Sequence, residues 1–188
     1  MSPDPHAQER TSDAASIMDV PDIGIEWARW KGPGPLDVPG ILSFLRAMNS
    51  KGRLVQAFDA RGVAGPRHIE SAYLHMRRAM NGRRIRLRDP GAVLAIYLSG
   101  ADQLERALAR VGLQADTEVA VFVSAPAMDL SADLERIGFV EVTPPMPKVL
   151  SPDLLQRLGI EASLIAGTPP SLREHLVLEH VAMVDLPR

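Results

Sequence analysis

The chain of 188 residues contains no cysteine. That excludes disulfides, thiolate zinc sites, iron–sulfur clusters and cysteine nucleophiles in one step, and it fits a reducing, cytoplasmic setting. Aromatic residues make up only 4% of the chain, too few for an extended platform on which single-stranded bases could stack. Lysine is scarce, 3 residues against 18 arginines, so a preference for arginine is global here and does not by itself signal phosphate recognition. No apolar run approaches the roughly 20 residues of a membrane span. The N-terminal MSPDPHAQERTSDAAS has neither a basic start nor an apolar stretch, so no secretory signal is expected. The motifs H-E-x-x-H, G-x-S-x-G and the P-loop are missing as well.

What is present is ordinary globular composition, 46% hydrophobic and 23% charged. A chain of this length can bury about 70% of its unfolded surface in one packed domain. The net charge of −2 is unevenly spread. Arg67, Arg77, Arg78, Arg83, Arg84, Arg86 and Arg88 face a single acid, Glu70, so the window 67–88 carries +6 and the remainder −8. One concentrated basic segment on an acidic protein points to a local polyanion contact.

Residues 1–19 are polar and aperiodic and predict a disordered tail. Ile23, Ile25 and Trp27 alternate with smaller or polar neighbours, a strand signature. KGPGPLDVPG is loop; its prolines lack the N–H donors that a phosphate loop would need. Ile41, Phe44, Leu45 and Met48 predict an amphipathic helix over about 38–50, and Leu54 to Phe58 a second strand. From Pro66 a helix carries the stripe Ile69, Ala72, Tyr73, Met76 and Met80. Asn81-Gly82 is expected to end it with a left-handed cap. GRRIRLRDPG follows as a connection, and Ala92 to Leu98 leans towards helix and breaks at Ser99-Gly100. Leu104, Ala107, Leu108 and Val111 mark a helix with Asp102 paired to Arg106.

TEVAVFV at 117–123 reads as a strand buried on both faces. Short helices follow around Leu130–Ile137 and Leu154–Leu158, with a strand expected over Phe139 to Val142 between them. A helix begun by Ser171 comes next, and VAMVDL is expected to add a terminal strand. No repeat of 20–50 residues is visible. The expectation is a single α/β domain over 20–188, a mixed sheet of about four or five strands flanked by helices.

No nucleophile, base and orienting partner assemble into a catalytic constellation. His68 and His75 lie seven apart on one helix, away from the i, i+4 spacing of metal ligands, and His175 and His180 diverge. Neither a metal nor a cofactor is implied. Asp59 and Asp89 sit where aspartate serves turns. The strongest signal is the arginine cluster: Arg83, Arg84, Arg86 and Arg88 fall within six residues, and each can offer a bidentate fork to phosphate. With Arg78 they form the expected RNA-contacting set.

Three blocks carry a resemblance. Gln56-Ala-Phe-Asp-Ala60 with Val63-Ala64-Gly65-Pro66, His68-Ile69 and Ser71-Ala72 is the first. Tyr97-Leu98-Ser99-Gly100 with Gln103-Leu104, Ala107-Leu108 and Val111-Gly112 is the second, and Leu176, Leu178-Glu179, Val181-Ala182, Val184 and Leu186 the third. In order and spacing the chain resembles the kinase-binding, TPRKB-like subunit family of the KEOPS (EKC) tRNA-modification complex. The clear part spans roughly 54–125 and 172–186. Three positions depart from the family pattern: Asp102 replaces an arginine, Val93 a glutamate, and Ile85-Arg86 an Ile-Ala pair. The resemblance implies a non-catalytic, cytoplasmic subunit that binds the complex's small atypical protein kinase and the CCA-bearing 3′ end of tRNA, catalysis of threonylcarbamoyladenosine formation lying elsewhere. It implies RNA contact at Gln103. For the kinase face we take Leu104 and Leu108 with Leu176, Val177 and Leu178. A stand-alone RNA-binding module, and less readily a small enzyme with an unrecognised pocket, are the alternatives.

Overall fold

Hydrophobic periodicity of two kinds, alternating in the strands and three-to-four in the helices, sorts this chain into a sheet with helices on both faces. The computed structural model describes residues 24–49, 53–82, 85–142 and 149–186. The tail expected over 1–19 lies outside the described residues, as do Arg83 and Arg84. In order along the chain come β1 (Glu26–Lys31), α1 (Val38–Met48), β2 (Leu54–Asp59), a 3₁₀ turn (Ala60–Gly62), α2 (Pro66–Asn81), α3 (Pro90–Ser99) and α4 (Leu104–Val111). Then follow β3 (Val119–Ala125), α5 (Ser131–Arg136), β4 (Val140–Glu141), α6 (Pro152–Arg157), α7 (Ala162–Gly167), a second 3₁₀ turn (Pro170–Leu172) and α8 (Arg173–Met183). None of the described helices is long and apolar enough to cross a membrane.

The four strands form one sheet in the order β2-β3-β1-β4. The α/β class and the helix-flanked sheet agree with the sequence expectation. Its strand directions do not: every pairing is antiparallel, where a mixed sheet was expected. The reason is topological. β1, α1 and β2 make a parallel crossover, but β3 inserts antiparallel between the two strands, pairing Trp27 with Val123 on one side and Gln56 with the same Val123 on the other.

Alternation along the central strands divides the core. Leu54 and Phe58 of β2 and Val121, Val123 and Ala125 of β3 face a layer built by α2, α3, α4, α6, α7 and α8. Val55, Ala57, Ala120 and Phe122 face α1 and α5, with Trp30 and an edge-to-face contact between Phe122 and Phe139. α3 is the hub of the larger layer. Gly91 and all residues from Val93 to Ser99 are buried, so its apolar run wraps the whole helix instead of one side.

Local chemistry sets the element ends. Asp37 accepts the Gly40 N–H at 3.1 Å and starts α1, so of the expected loop KGPGPLDVPG only 32–37 is turn and cap, Lys31 closing β1 and Val38, Pro39 and Gly40 forming the first turn of α1. Asp89 accepts the Ala92 N–H at 2.8 Å and starts α3. Gly100 ends α3 in the left-handed region (φ 64°), and a Cβ there would meet the His180 ring at 2.0 Å. The left-handed cap expected at Asn81-Gly82 does not form. Gly82 donates to Arg78 in one more helical bond and leaves at φ −78°, without reversing the chain. The expected terminal strand is also helix. Val177, Val181 and Val184 continue one stripe, and the chain closes in turns from Val184, Asp185 and Leu186 back to Val181, Ala182 and Met183.

Candidate nucleic-acid interface

Five elements, α1, β2, α2, α3 and β3, meet at the end of the sheet where β2 begins and β3 finishes, Leu54 paired with Ala125. Here a groove of about 740 Å³ opens. Its floor is apolar, made by Leu54, Ala125, Tyr73, Met76 and Met80, the last three from a single face of α2. Arg46 in the last turn of α1, Arg53 just before β2 and Arg77 on α2 bring three guanidinium groups to it. None of the three is in an ion pair with a described residue. Arg77 lies 5.5 Å over the Tyr73 ring. Burial pushes the Tyr73 phenol above its ordinary range, with Arg77 opposing, so the hydroxyl stays neutral at physiological pH. The far side is closed by Asn81, Asp89, Pro90 and Gly91. Gly91 admits Gln56, whose amide nitrogen would lie 2.4 Å from any Cβ at that position.

The wall between α1 and β2 is fixed by Asn49, which mimics a strand partner. Its Oδ1 accepts the Val55 N–H at 2.6 Å and its Nδ2 donates to the Val55 carbonyl at 3.0 Å. That double bond sets where Arg46 and Arg53 stand relative to the strand.

Of the arginines expected to contact RNA, Arg78, Arg86 and Arg88 are exposed. Ile85 and Leu87 pack on the core between them, so alternation along the connection turns Arg86 and Arg88 outward. That connection ends at Asp89 and Pro90 on the groove's edge. Arg67, by contrast, is engaged with Glu174 at 2.9 Å. Gln103 is exposed but precedes α4, beyond the C-terminal end of α3, whereas the groove lies at its N-terminal end. Ten helical residues separate the ends, about 15 Å. Gln103 therefore does not join the arginine-rimmed groove. Asp102 pairs with Arg106 at 3.2 Å, as the i, i+4 spacing predicts.

On the expected kinase face, Leu108 is 46% exposed, Leu104, Leu176 and Leu178 are half-buried, and Val177 is only 1% exposed in the core. Val177 therefore supports α8 from within and offers no surface. Sequence reasoning missed Arg46, Arg53 and the α2 floor as site residues. They lie outside the dense cluster or read as ordinary core, and only the tertiary fold brings them together.

The histidines do not converge. His68 is buried and neutral: its Nδ1 accepts the Ala64 N–H at 3.1 Å and its Nε2 donates to the Leu98 carbonyl at 2.7 Å. Burial, with His180 nearby, lowers its pKa to about 4 despite that carbonyl. His75 Nδ1 and the Tyr97 hydroxyl both bind the Asp185 carboxylate, at 2.5 and 2.6 Å, tying the chain's end to α2 and α3. Among the described residues no three His, Asp or Glu side chains are grouped to hold a metal ion.

A second cavity, about 420 Å³, contains Arg29, Asp59, Arg61, Asp116 and Glu118. Its charges are largely internally matched. Burial opposes ionisation of Asp59, but bonds from the Arg61 side chain and N–H and from Thr117 outweigh it and hold the carboxyl below its usual range. Arg157 adds a contact at 3.3 Å. Compared with known proteins, the chain matches no protein-family model and no curated protein.

Proposed function

We propose that the chain is a non-catalytic, cytoplasmic accessory subunit of a KEOPS-like tRNA threonylcarbamoyladenosine complex, binding its small atypical kinase and the CCA 3′ end of tRNA. The observation that carries the RNA half is the groove, with an apolar floor and three arginines outside ion pairs among the described residues; Arg78, Arg86 and Arg88 are exposed but do not line it. Arginine forks suit phosphate, and a floor free of charge suits a splayed base. The kinase half rests on the three resembling blocks, with Leu108 and the half-buried Leu178 as surface candidates.

The test has two arms. Intact tRNA should bind the purified chain at least tenfold more tightly than tRNA lacking its CCA, and Arg53→Glu or Arg77→Glu should remove that difference. Leu178→Glu, with the more exposed Leu108→Glu as a second variant, should abolish capture of the kinase while the thermal unfolding profile is kept. Equal binding of both RNAs would overturn the RNA half, and retained capture in both variants would overturn the kinase face.

A further inference from the structure

The groove's size and lining say more about its ligand than that it is an anion. A channel that tracks a strand covers several nucleotides and presents successive aromatic faces. This one is an open groove of about 740 Å³, in the size range of sites for single small ligands, roughly 300–1,000 Å³. Among the described residues that line it, the one aromatic side chain is Tyr73, which is 5% exposed and already covered by Arg77. The apolar surface left for a ring is chiefly the half-buried Met80, because Leu54 and Met76 are 6% and 4% exposed and only back it from the core.

We propose that the groove is a site for one nucleoside 5′-phosphate. Its phosphate meets Arg46, Arg53 and Arg77 and its base lies against Met80, with Leu54 and Met76 behind it. The chemistry is shared by the terminal nucleotide of an RNA and by a free mononucleotide, and both compete for the same place. The inference rests on the reading of the groove as the RNA-end site and narrows it to a single nucleotide. Methionine is flexible and polarizable and adapts to rings of different outline. Base identity therefore matters little, while the phosphate, met by three guanidinium groups, matters most.

The experiment is titration of the full chain with AMP, CMP and adenosine, followed by competition against a CCA-ended tRNA. AMP and CMP should bind one per chain with affinities within about fivefold of each other, adenosine at least tenfold more weakly. Arg53→Glu should lower AMP affinity at least tenfold, and so should Arg77→Glu. AMP should displace the RNA. If the RNA binds through the groove arginines but AMP neither binds nor competes, the single-nucleotide inference falls and the RNA-end reading stands. If AMP binds and neither arginine variant weakens it, the groove is not its site and the inference falls. If neither AMP nor the RNA binds, both fall.

Discussion

His68 is held between the Ala64 amide and the Leu98 carbonyl, two buried backbone groups that would lose a partner without its ring. His68→Ala leaves both unsatisfied and opens a cavity, so it should cost about 2–4 kcal/mol in urea unfolding at pH 7. The ring also gives a pH signature. Its folded pKa of about 4 lies below the 6.5 of an ordinary histidine, so between these values the unfolded chain holds a proton that the native chain refuses. The contribution is complete above pH 6.5 and is lost as the pH falls towards 4, at up to about 1.4 kcal/mol per pH unit. Unfolding curves at pH 7, 5.5 and 4.5 should show this slope in the wild type and a weaker one in His68→Ala. A parallel pair of slopes would refute the assignment. Asp59 acts in the same direction at lower pH: its depressed carboxyl stabilises the fold above its unfolded pKa and stops doing so when protonated. Asp59→Ala leaves Arg61, Arg157 and Thr117 without their shared acceptor and should cost roughly 3 kcal/mol. A loss below about 0.5 kcal/mol would show that water replaces it.

Among the elements, α3 and α8 depend on one close approach. Gly100 takes φ 64° with the His180 ring against its Cα, and His180 in turn meets the Leu158 carbonyl at 2.9 Å. Gly100→Ala meets both left-handed strain and the ring, so it should cost about 2 kcal/mol, a fall in Tm of about 4–8 °C by calorimetry. An unchanged Tm would mean that α8 yields freely. The elements that could be read from the sequence are those whose pattern is local. Ile69, Ala72, Tyr73 and Met76 made α2 plain, and Asp102 with Arg106 marked the start of α4. α3 was ambiguous because burial on every side erases periodicity. α7 escaped notice because six residues with only Ile165 buried hold no full period. The last segment misled because VAMVDL alternates over a few residues, whereas its valines continue the stripe of α8 only when Val177 and Val181 are counted with Val184.

At the scale of the molecule, function turns on convergence, which no local pattern encodes. The cluster from Arg78 to Arg88 was visible as charge, but Arg46 and Arg53 sit 25 or more residues earlier and meet Arg77 only because α1 and β2 bring them to one end of the sheet. Gln103 resembled a family position, yet α3 holds it at the opposite end from the groove. The same placement separates the two proposed partners, RNA at the N-terminal end of α3 and a protein over α4 and α8. Kinase capture should therefore survive Arg53→Glu in a pull-down, while Leu178→Glu should leave tRNA affinity unchanged; loss of both activities in either variant would show one shared surface. The central claim is that a tRNA end lies in the arginine-rimmed groove, and the most direct measurement is photo-crosslinking with a tRNA carrying a photoreactive 3′-terminal adenosine. Crosslinks to α2 between Tyr73 and Met80 or to Leu54, suppressed by AMP, are the expected result. Crosslinks confined to α8, or to the cavity around Asp59 and Arg61, would contradict it.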